Sequence, residues 1–494
     1  MKVSKYNILV KSFDKRYKSK PLLFNALTCS LVEIEKSYIQ YFHLLEGNRI
    51  LDISIFRNKK EMFSQLEKGG FILPDEFDEI NFLKYLSNLA RYSSKSTIFT
   101  ILPTLQCNFQ CSYCYEEHTN QTMNNEVEEK IIEIATKRLE RGSPSLFCEW
   151  YGGEPLLAID IIERLSKKFM AIAKKYNIPY SAGMISNGYL LKRETVNLLK
   201  ELKVEKLQIT IDGPPAFHNK RRKLKSGDGT FDTIIENICY AANYIPVILR
   251  INIDKRNAFA IDDLLKMLTE YRLNEKNISP YLGFVRATTS ACKSSFAYCL
   301  SEEEFALNNT NFIEKLYNYG FKNYNYPTPS YQLCGAVTEG AYTIAPDGNL
   351  FKCWETVGIQ DEAIGNLLGN NIESYHQINS LNWMSYDPFE KKQCRKCKIF
   401  PLCFGGCPSA SVKHISGKIF RDATCSTYKH NTYFNKMMEI VYSKYLRGDF
   451  KKEEEAKKEE SSKEISQEEL KNKATTNINQ AQEEIKSKDS QIKD

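Results

Sequence analysis

The spacing of the cysteines constrains this 494-residue chain more than any other feature of its sequence. Three of them form a C-x3-C-x2-C motif: Cys107, Cys111 and Cys114. Seven more follow the pattern C-x13-G-x4-C, then C-x2-C-x5-C-x3-C, then a final single cysteine: Cys334, Cys353, Cys394, Cys397, Cys403, Cys407 and Cys425. In a reducing compartment clustered cysteines bind metal or carry out chemistry, because structural disulfides rarely persist there. We therefore expect two regions organised around metal.

The rest of the composition excludes several classes of protein. No stretch approaches about 18 consecutive apolar residues, and the start of the chain at Met1 lacks the pattern of a signal peptide. The formal net charge is +7, with Lys and Arg scattered rather than gathered into one stripe. We therefore expect a cytoplasmic protein that binds neither membrane nor nucleic acid.

The middle of the chain alternates between apolar, β-rich runs and amphipathic helical stretches. The six predicted strands are Thr97–Leu102, Leu146–Tyr151, Ser181–Ile185, Lys206–Ile211, Ile245–Ile253 and Pro280–Val285. Such repeats predict a parallel sheet with right-handed crossovers. Six units fall short of the eight in a closed barrel, so the α/β fold is predicted to be a partial, open (βα)6 barrel. Its chemistry is expected where the strands end at their carboxyl edge.

The pattern predicts five segments along the chain. Residues 1–96 form a small α+β domain of winged-helix-like order, 97–325 the barrel, 326–430 a metal-organised region, 431–450 a helix and 451–494 a charged tail. The tail has no aromatic residue and no cysteine, so we expect it to be disordered or marginally helical.

The first cysteine motif suits a four-iron cluster with one open iron; a zinc site or a chance match is the alternative for this spacing taken alone. Three thiolates supply only three ligands to a four-iron cluster, and soft anionic sulfur suits iron–sulfur chemistry. With C-x3-C-x2-C directly after the first strand, the chain resembles the radical S-adenosylmethionine (SAM) superfamily. The resemblance implies that the open iron chelates SAM and that SAM is cleaved to methionine and a 5′-deoxyadenosyl radical. The cofactor then does the difficult step, while the protein positions and shields it.

The resemblance extends to the ends of the next strands and implies a set of SAM-binding residues. Gly152, Gly153 and Glu154 match the family's GGEP motif, in which glycine allows a close approach and the carboxylate accepts from the SAM ammonium group. The other implied SAM-binding residues are Tyr113, Ser186, Asn187, Thr210 and Arg222. A turn or a cap is the alternative role for these strand-end residues. His218 matches the same family pattern, and we expect it to be structural.

The second cysteine group resembles the SPASM extension of this superfamily, which holds auxiliary four-iron clusters. The resemblance assigns four cysteines to an outer cluster: Cys394, Cys397, Cys403 and Cys425. It assigns three to an inner cluster: Cys334, Cys353 and Cys407. Many relatives have an additional cysteine where this chain has Gly340. The inner cluster is therefore expected either to keep an open iron for a substrate thiolate or to borrow a ligand, for which Cys292 and Cys299 are candidates.

The resemblance implies an enzyme that modifies a precursor peptide, with a thioether or other crosslink as the product. The N-terminal domain would then hold a leader peptide, and a ferredoxin or flavodoxin would supply electrons. Sulfatase maturation is an alternative, but relatives of that type have a basic Asp where this chain has Trp354, which cannot accept a proton. Glu355 is the candidate replacement, and Trp354 is expected to pack in a core. A dehydrogenase of a small alcohol and a non-catalytic iron–sulfur electron carrier or scaffold are further alternatives.

Overall fold

The computed structural model describes most of the chain up to residue 447. The described residues are 1–10, 21–39, 59–92, 96–287, 289, 291–321, 326–328, 334–369, 374–409, 412, 425 and 429–447, with backbone alone at 374–376, 431 and 446. Residues 1–437 form one compact unit and residues 438–494 a second. The tail predicted for 451–494 lies outside the described residues. None of the described helices is long and apolar enough to cross a membrane.

The N-terminal region is a small α+β arrangement, as the sequence predicts. Its elements are β1 (Lys2–Val3), β2 (Asn7–Val10), β3 (Leu22–Asn25), β4 (Ser30–Glu33), α1 (Lys60–Lys68), β5 (Ile72–Leu73) and α2 (Glu79–Tyr92). Strands β2, β3 and β4 form an antiparallel sheet, and β1 pairs with β5. Strands β3 and β4 form a hairpin over residues 22–33. Residues 36–39 are helical.

Six parallel strands in chain order form the centre of the fold, which confirms the predicted α/β class. They are β6 (Thr97–Ile101), β7 (Leu146–Trp150), β8 (Tyr180–Ser186), β9 (Val204–Thr210), β10 (Val247–Ile253) and β11 (Ile278–Phe284). Thr97–Ile101 pairs residue by residue with Leu146–Trp150, whereas the pairing of β8 with β9 shifts register between Ala182 and Gly183. Alternate residues of β6 and β7 are buried, so the period-2 pattern of the sequence matches the pleat of the sheet.

Amphipathic helices follow the strands and cover the sheet. They are α3 (Asn125–Glu140), α4 (Ile159–Lys175), α5 (Arg193–Glu201), α6 (Pro215–Arg221), α7 (Phe231–Ala241), α8 (Ile261–Glu270) and α9 (Glu302–Asn318). Asn124 caps α3 by accepting from the Val127 backbone N–H at 3.0 Å. Ser301 and Glu304 form a reciprocal capping box at the start of α9. Local sequence signals therefore define where these helices begin.

The region of the second cysteine group joins the central sheet, which the sequence did not predict. Strand β12 (Ala341–Ile344) pairs in parallel with β6, and β13 (Asn349–Phe351) and β14 (Gly365–Asn366) follow in antiparallel order. The sheet therefore has nine strands. The helices of this part are short, apart from the first and last: α10 (Ser374–Met384), α11 (Lys392–Arg395), α12 (Phe400–Cys403) and α13 (Asn431–Leu446).

Helix α2 contacts the region of the second cysteine group through hydrogen bonds and an ion pair. The buried guanidinium of Arg91 donates to the carbonyl oxygens of Val337 (3.0 Å) and Met384 (2.8 Å). Lys84 forms an ion pair with Asp387 at 3.2 Å. These contacts bring the N-terminal sheet close to the segment that carries Cys394 and Cys397.

Candidate active site

A cavity of about 400 Å³ opens at the carboxyl ends of the parallel strands. All three cysteines of the first motif line it, as do seven of the eight predicted SAM-binding residues: Tyr113, Gly152, Gly153, Ser186, Asn187, Thr210 and Arg222. The fold thus collects into one cavity side chains that follow four different strands. This is the edge at which parallel α/β folds place their chemistry.

The cysteine motif lies in the loop after β6, in a partly enclosed position. Cys107 is buried, whereas Cys111 and Cys114 are half-buried. Burial raises the pKa of the Cys107 thiol to about 12, Glu154 acts in the same direction, and Arg222 opposes it. Burial likewise raises the pKa of Cys111 and Cys114. Without metal these thiols hold their protons, and binding of iron would release them.

Two glycines pack directly against the cysteine loop. A Cβ atom on Gly152, whose φ is +124°, would lie 2.4 Å from the carbonyl oxygen of Thr104. A Cβ on Gly153 would lie 2.3 Å from the carbonyl oxygen of Gln106. The Gly153 N–H donates to Thr104 at 3.2 Å, and the Glu154 N–H donates to Gln106 at 2.8 Å. Glycine is therefore required at both positions for the loop after β7 to reach the loop that carries Cys107.

The Glu154 carboxylate is fully buried and is satisfied by the protein itself. It accepts from the Ser186 hydroxyl at 2.8 Å, the Asn187 N–H at 2.7 Å and the Leu156 N–H at 3.1 Å. It is not among the residues that line the cavity. A carboxylate has about four acceptor positions, and three are used here. The carboxylate joins the ends of β7 and β8, and the glycines before it form the cavity wall.

Tyr113 and Arg222 form a polar cluster on the cavity wall. The Tyr113 hydroxyl accepts from Arg222 at 2.9 Å and from the Asn252 side-chain amide at 3.1 Å. The guanidinium of Arg221 lies 4.8 Å from the centre of the Tyr113 ring. The buried Nε of Arg222 has no hydrogen-bond partner among the described residues. A buried donor of this kind indicates a place for an acceptor from a ligand.

His218 is a structural residue, as expected. It is fully buried, its Nδ1 accepts from the Asp212 N–H at 3.2 Å, and its Nε2 lies 3.0 Å from the Thr230 hydroxyl. Burial, assisted by Arg222, lowers the pKa of His218 to about 3. Next to it, Arg221 donates to Asp212 and to Asp254, at 3.3 and 2.6 Å. This network holds the ends of β9 and β10 together.

Several lining residues were missed by sequence reasoning. Glu116 follows the cysteine motif by two residues, its Oε2 has no described partner, and burial raises its pKa to about 7. The hydroxyls of Tyr115 and Tyr151 are hydrogen-bonded to each other beside it. Further along, Arg250 lines the cavity from the interior of β10. For Tyr115 and Glu116, adjacency to Cys114 was a usable signal; the others have no local signature.

The expectation that Trp354 packs in a core is wrong. Its side chain is 42% exposed and lines the cavity, with its ring centre 5.7 Å from that of Tyr151. Glu355 lines the cavity beside it and accepts from the Ser409 hydroxyl at 3.4 Å. An aromatic side chain that faces a cavity leaves apolar surface for a ligand to cover.

The later cysteines gather into two groups. Cys353 lies near Cys334 and Cys407, because the charges of both act on its pKa, which burial raises. Burial raises the pKa of Cys403 to about 11, and the charges of Cys394, Cys397 and Cys425 act in the same direction, so these three cysteines lie near it. The division into three and four follows the assignment that the resemblance implies.

The remaining cysteines make local contacts. The Cys292 thiol is buried and donates to the Thr289 carbonyl oxygen at 3.4 Å. The Cys299 thiol donates to the Ser295 carbonyl oxygen at 3.4 Å. Cys148 is fully buried in the central core. No described contact therefore joins Cys292 or Cys299 to the inner cysteine group, and a borrowed ligand stays a prediction.

The cavity fits an iron–sulfur cluster with SAM by its donor set. It offers three thiols, a glycine wall, an unpartnered guanidinium nitrogen and an unpartnered carboxylate oxygen. Across the described residues no group of three or more His, Cys, Asp or Glu side chains is arranged to hold a metal ion. A four-iron cluster takes each thiolate on a separate iron, so its ligands need not converge on one point.

Several known proteins are similar to this chain in sequence and in fold. The family model described as the Radical SAM superfamily matches residues 101–268. Radical SAM cyclopropyl synthase TigE of Paramaledivibacter caminithermalis is 22% identical over 466 residues, which cover 86% of this chain and 94% of TigE. The cysteine-type anaerobic sulfatase-maturating enzyme of Clostridium perfringens is 23% identical, over 65% of this chain and 91% of that enzyme. The solved structure "Native anSMEcpe with bound AdoMet and Cp18Cys peptide" matches with a TM-score of 0.51 and 19% identity, over 71% of this chain and 98% of that one.

Proposed function

The chain belongs to the radical SAM superfamily, and we propose that it installs a crosslink, such as a thioether, on a ribosomally made precursor peptide. One observation carries the proposal: a single cavity is lined by the first cysteine motif and by Trp354 and Glu355, the two residues that directly follow Cys353 of the inner group. Glu355 lines that cavity, and its charge raises the pKa of Cys334 and of Cys353. A peptide bound there would touch SAM on one side and the inner cysteines on the other.

In the proposal, the residues that line the cavity at the carboxyl ends of the strands bind and orient SAM. When bound, the cluster and SAM supply a 5′-deoxyadenosyl radical. Arg222 and Thr210 would hold the SAM carboxylate, Tyr113 would stack on its adenine, and the Gly152–Gly153 backbone would accept from the ammonium group. Glu154 positions Ser186 and Asn187 toward the ligand, through the hydrogen bonds that its carboxylate accepts.

Glu355 is the proposed proton acceptor for the bond-forming step. The radical would take one hydrogen atom from the peptide carbon, Glu355 would take the thiol proton, and the remaining electron would pass to an iron–sulfur cluster held by the inner cysteines. Its carboxylate lines the SAM cavity, and its negative charge acts on both Cys334 and Cys353 of the inner group. Gly340 stands where many relatives have a further cysteine, so the inner cluster would keep an open iron for a substrate thiolate. Trp354 and Tyr151 would cover the apolar part of the peptide and keep water away from the radical.

Support for a peptide substrate comes from the relatives and from the N-terminal sheet. The anSMEcpe structure is named with a bound peptide, and TigE aligns along almost its whole length. In the described part of the N-terminal sheet, β4 is paired on one side only. An extended leader peptide could add to this edge as a further strand. Residues 1–96 would then be the leader-binding domain, 97–325 the radical SAM core and 326–430 the auxiliary-cluster domain.

Sulfatase-type maturation is the second candidate, favoured by the similarity to the Clostridium perfringens enzyme. It requires a base at the position of Trp354 or within reach of it. Glu355 is adjacent and faces the same cavity. A peptide carrying a sulfatase cysteine motif would therefore be tested together with candidate precursor peptides.

The experiment is anaerobic production of 5′-deoxyadenosine by the iron-loaded protein with SAM, a strong reductant and each peptide. The test variant is Cys107→Ala/Cys111→Ala/Cys114→Ala, and the matched control is Cys239→Ala, a half-buried cysteine outside both groups. We expect activity in the wild type and the control, none in the triple variant, and a crosslinked peptide detected by mass spectrometry. A small alcohol oxidised in place of any peptide would favour a dehydrogenase. No 5′-deoxyadenosine under any condition would favour an electron carrier or scaffold.

A further inference from the structure

A strongly basic surface surrounds part of the outer cysteine group. We call residues 391–398 the basic loop; its sequence is Lys-Lys-Gln-Cys-Arg-Lys-Cys-Lys. Five of its eight residues are cationic and none is acidic. The other three residues are Gln393 and two cysteines of the outer group, Cys394 and Cys397. Residues 218–225 hold as many cations, but Arg221 and Arg222 are buried there, whereas three cations of the basic loop are exposed.

Three of the five cations of the basic loop are exposed to solvent, and Lys391 and Lys398 are half-buried. Lys392, Arg395 and Lys396 are exposed, while the thiols between them are half-buried. Among the described residues, none of these three cations has a carboxylate within ion-pair distance. Exposed charges without partners give a surface an electrostatic field that extends about 8–10 Å into physiological solvent.

Cations from other parts of the chain extend the same surface. The exposed Lys429 donates to the thiol of Cys425 at 3.4 Å. Burial lowers the pKa of Lys5, and the positive charge of the nearby Arg395 acts in the same direction, whereas Glu79 and Asp78 oppose the shift. The nearby Asp387 is already paired with Lys84, and the exposed Glu390 precedes the loop. The surface therefore stays cationic where the outer cysteines approach solvent.

We propose that the basic loop, with Lys429, is the docking surface for an acidic electron-transfer protein. Cys425 is exposed and Cys394 and Cys397 are half-buried, so a cluster held by this group would lie near the protein surface. A small one-electron carrier with an acidic face would be steered to this point by charge, and its own redox centre would come to rest beside that cluster. The peptide site is separate, at the cavity described above.

Other acidic partners make different predictions. An acidic peptide would be attracted by the same charges, but it would gain nothing from the cysteines that the loop presents. A weak, salt-sensitive and reversible contact is what an electron carrier needs, because it must leave after each exchange. Charge on a flat exposed loop provides such a contact.

The test measures binding and does not depend on turnover of any peptide. Iron-loaded protein is titrated anaerobically with a flavodoxin of net negative charge, by calorimetry, at about 50 mM and about 300 mM salt. The test variant is Lys392→Glu/Arg395→Glu/Lys396→Glu. The matched control is Lys168→Glu/Lys174→Glu/Lys175→Glu, which reverses the same number of exposed charges on α4. Iron content and the melting temperature of each variant confirm that clusters and fold are retained. A milder Lys392→Gln/Lys396→Gln variant serves if the first variant loses iron.

We expect the wild type to bind at low salt and to weaken steeply at high salt. The loop variant should bind at least about tenfold more weakly than the wild type, and the control variant within about twofold of it. Equal weakening by the two variants would overturn the proposal, as would unchanged binding by the loop variant. Absence of any flavodoxin binding, with tight and loop-dependent binding of a polyglutamate peptide used as a second probe, would also overturn it. A failed peptide-modification assay would leave this result unaffected.

Discussion

Substitution of Gly153 by Ala should disable SAM chemistry through a small displacement of the cysteine loop. A Cβ at this position would lie 2.3 Å from the Gln106 carbonyl oxygen, 2.6 Å from the Gln106 carbonyl carbon and 2.7 Å from the Leu105 carbonyl oxygen. All three are backbone atoms, so no side chain can rotate away. To restore even the 3.0 Å limit of real Cβ contacts, the Gln106 oxygen must move by about 0.7 Å, which is 3.0 minus 2.3 Å.

That displacement acts directly on the first cluster ligand. Gln106 immediately precedes Cys107, and its carbonyl oxygen also accepts the Glu154 N–H. Overpacking of this kind costs about 1–3 kcal/mol of folding free energy. A misplacement near 1 Å at a reacting centre can lower the rate about 100-fold. We therefore expect a folded protein in which the rate of 5′-deoxyadenosine formation falls by about two orders of magnitude.

The assay compares Gly153→Ala with Gly365→Ala under identical anaerobic loading. A Cβ at Gly365 in β14 would make an ordinary contact of 3.6 Å with the Leu350 side chain. The control should retain the wild-type rate, and both variants should retain the iron of the auxiliary groups. If Gly153→Ala turned over SAM at the wild-type rate, the close packing of the two loops would not be what positions Cys107.

Three further outcomes follow from individual contacts. Tyr113→Phe removes the hydroxyl that accepts from Arg222 and Asn252, and we expect calorimetry to show about fivefold weaker SAM binding, equivalent to about 1 kcal/mol. Unchanged affinity would argue against the Tyr113 hydroxyl and its partners as part of the SAM site. His218 has a pKa of about 3 in the fold, below its value near 6.5 in the unfolded chain, so its contribution to stability is complete above pH 6.5. As the pH falls from 6.5 toward 3, the free energy of unfolding should decrease by about 1.4 kcal/mol per pH unit. Urea unfolding at pH 5 and 7 should show this loss in the wild type and a smaller one in His218→Asn. The buried ammonium of Lys352 donates to the carbonyl oxygens of residues 338 and 341 at 2.7 and 3.0 Å, and Lys352→Met removes both hydrogen bonds. We expect thermal unfolding to show a loss of about 1–3 kcal/mol in stability for this variant, and little change for the exposed control Lys168→Met.

Much of this protein follows from local sequence. The spacing of Cys107, Cys111 and Cys114 restricts the chemistry because cluster ligands in one loop must lie a few residues apart. All six central strands appear where apolar, β-rich runs predict them, since the residues of a strand that face the core must be apolar, as at alternate positions of β6 and β7. Seven of the eight predicted SAM-binding residues meet in one cavity, because parallel strands bring their carboxyl ends to a common edge.

Other features depend on pairings between distant segments. Strand β12 adds to β6, more than two hundred residues earlier in the chain, and nothing in its own four residues indicates that partner. The Glu154 carboxylate is buried because Ser186 and Asn187, at the end of β8, donate to it. It therefore lies behind the cavity wall, whereas Ser186 and Asn187 line the cavity. Trp354 faces the cavity rather than a core because β12 and β13 carry the Cys353 segment to the edge of the barrel. Local periodicity determines which residues are apolar or ligating, whereas contacts between segments far apart in sequence determine which of them share a cavity.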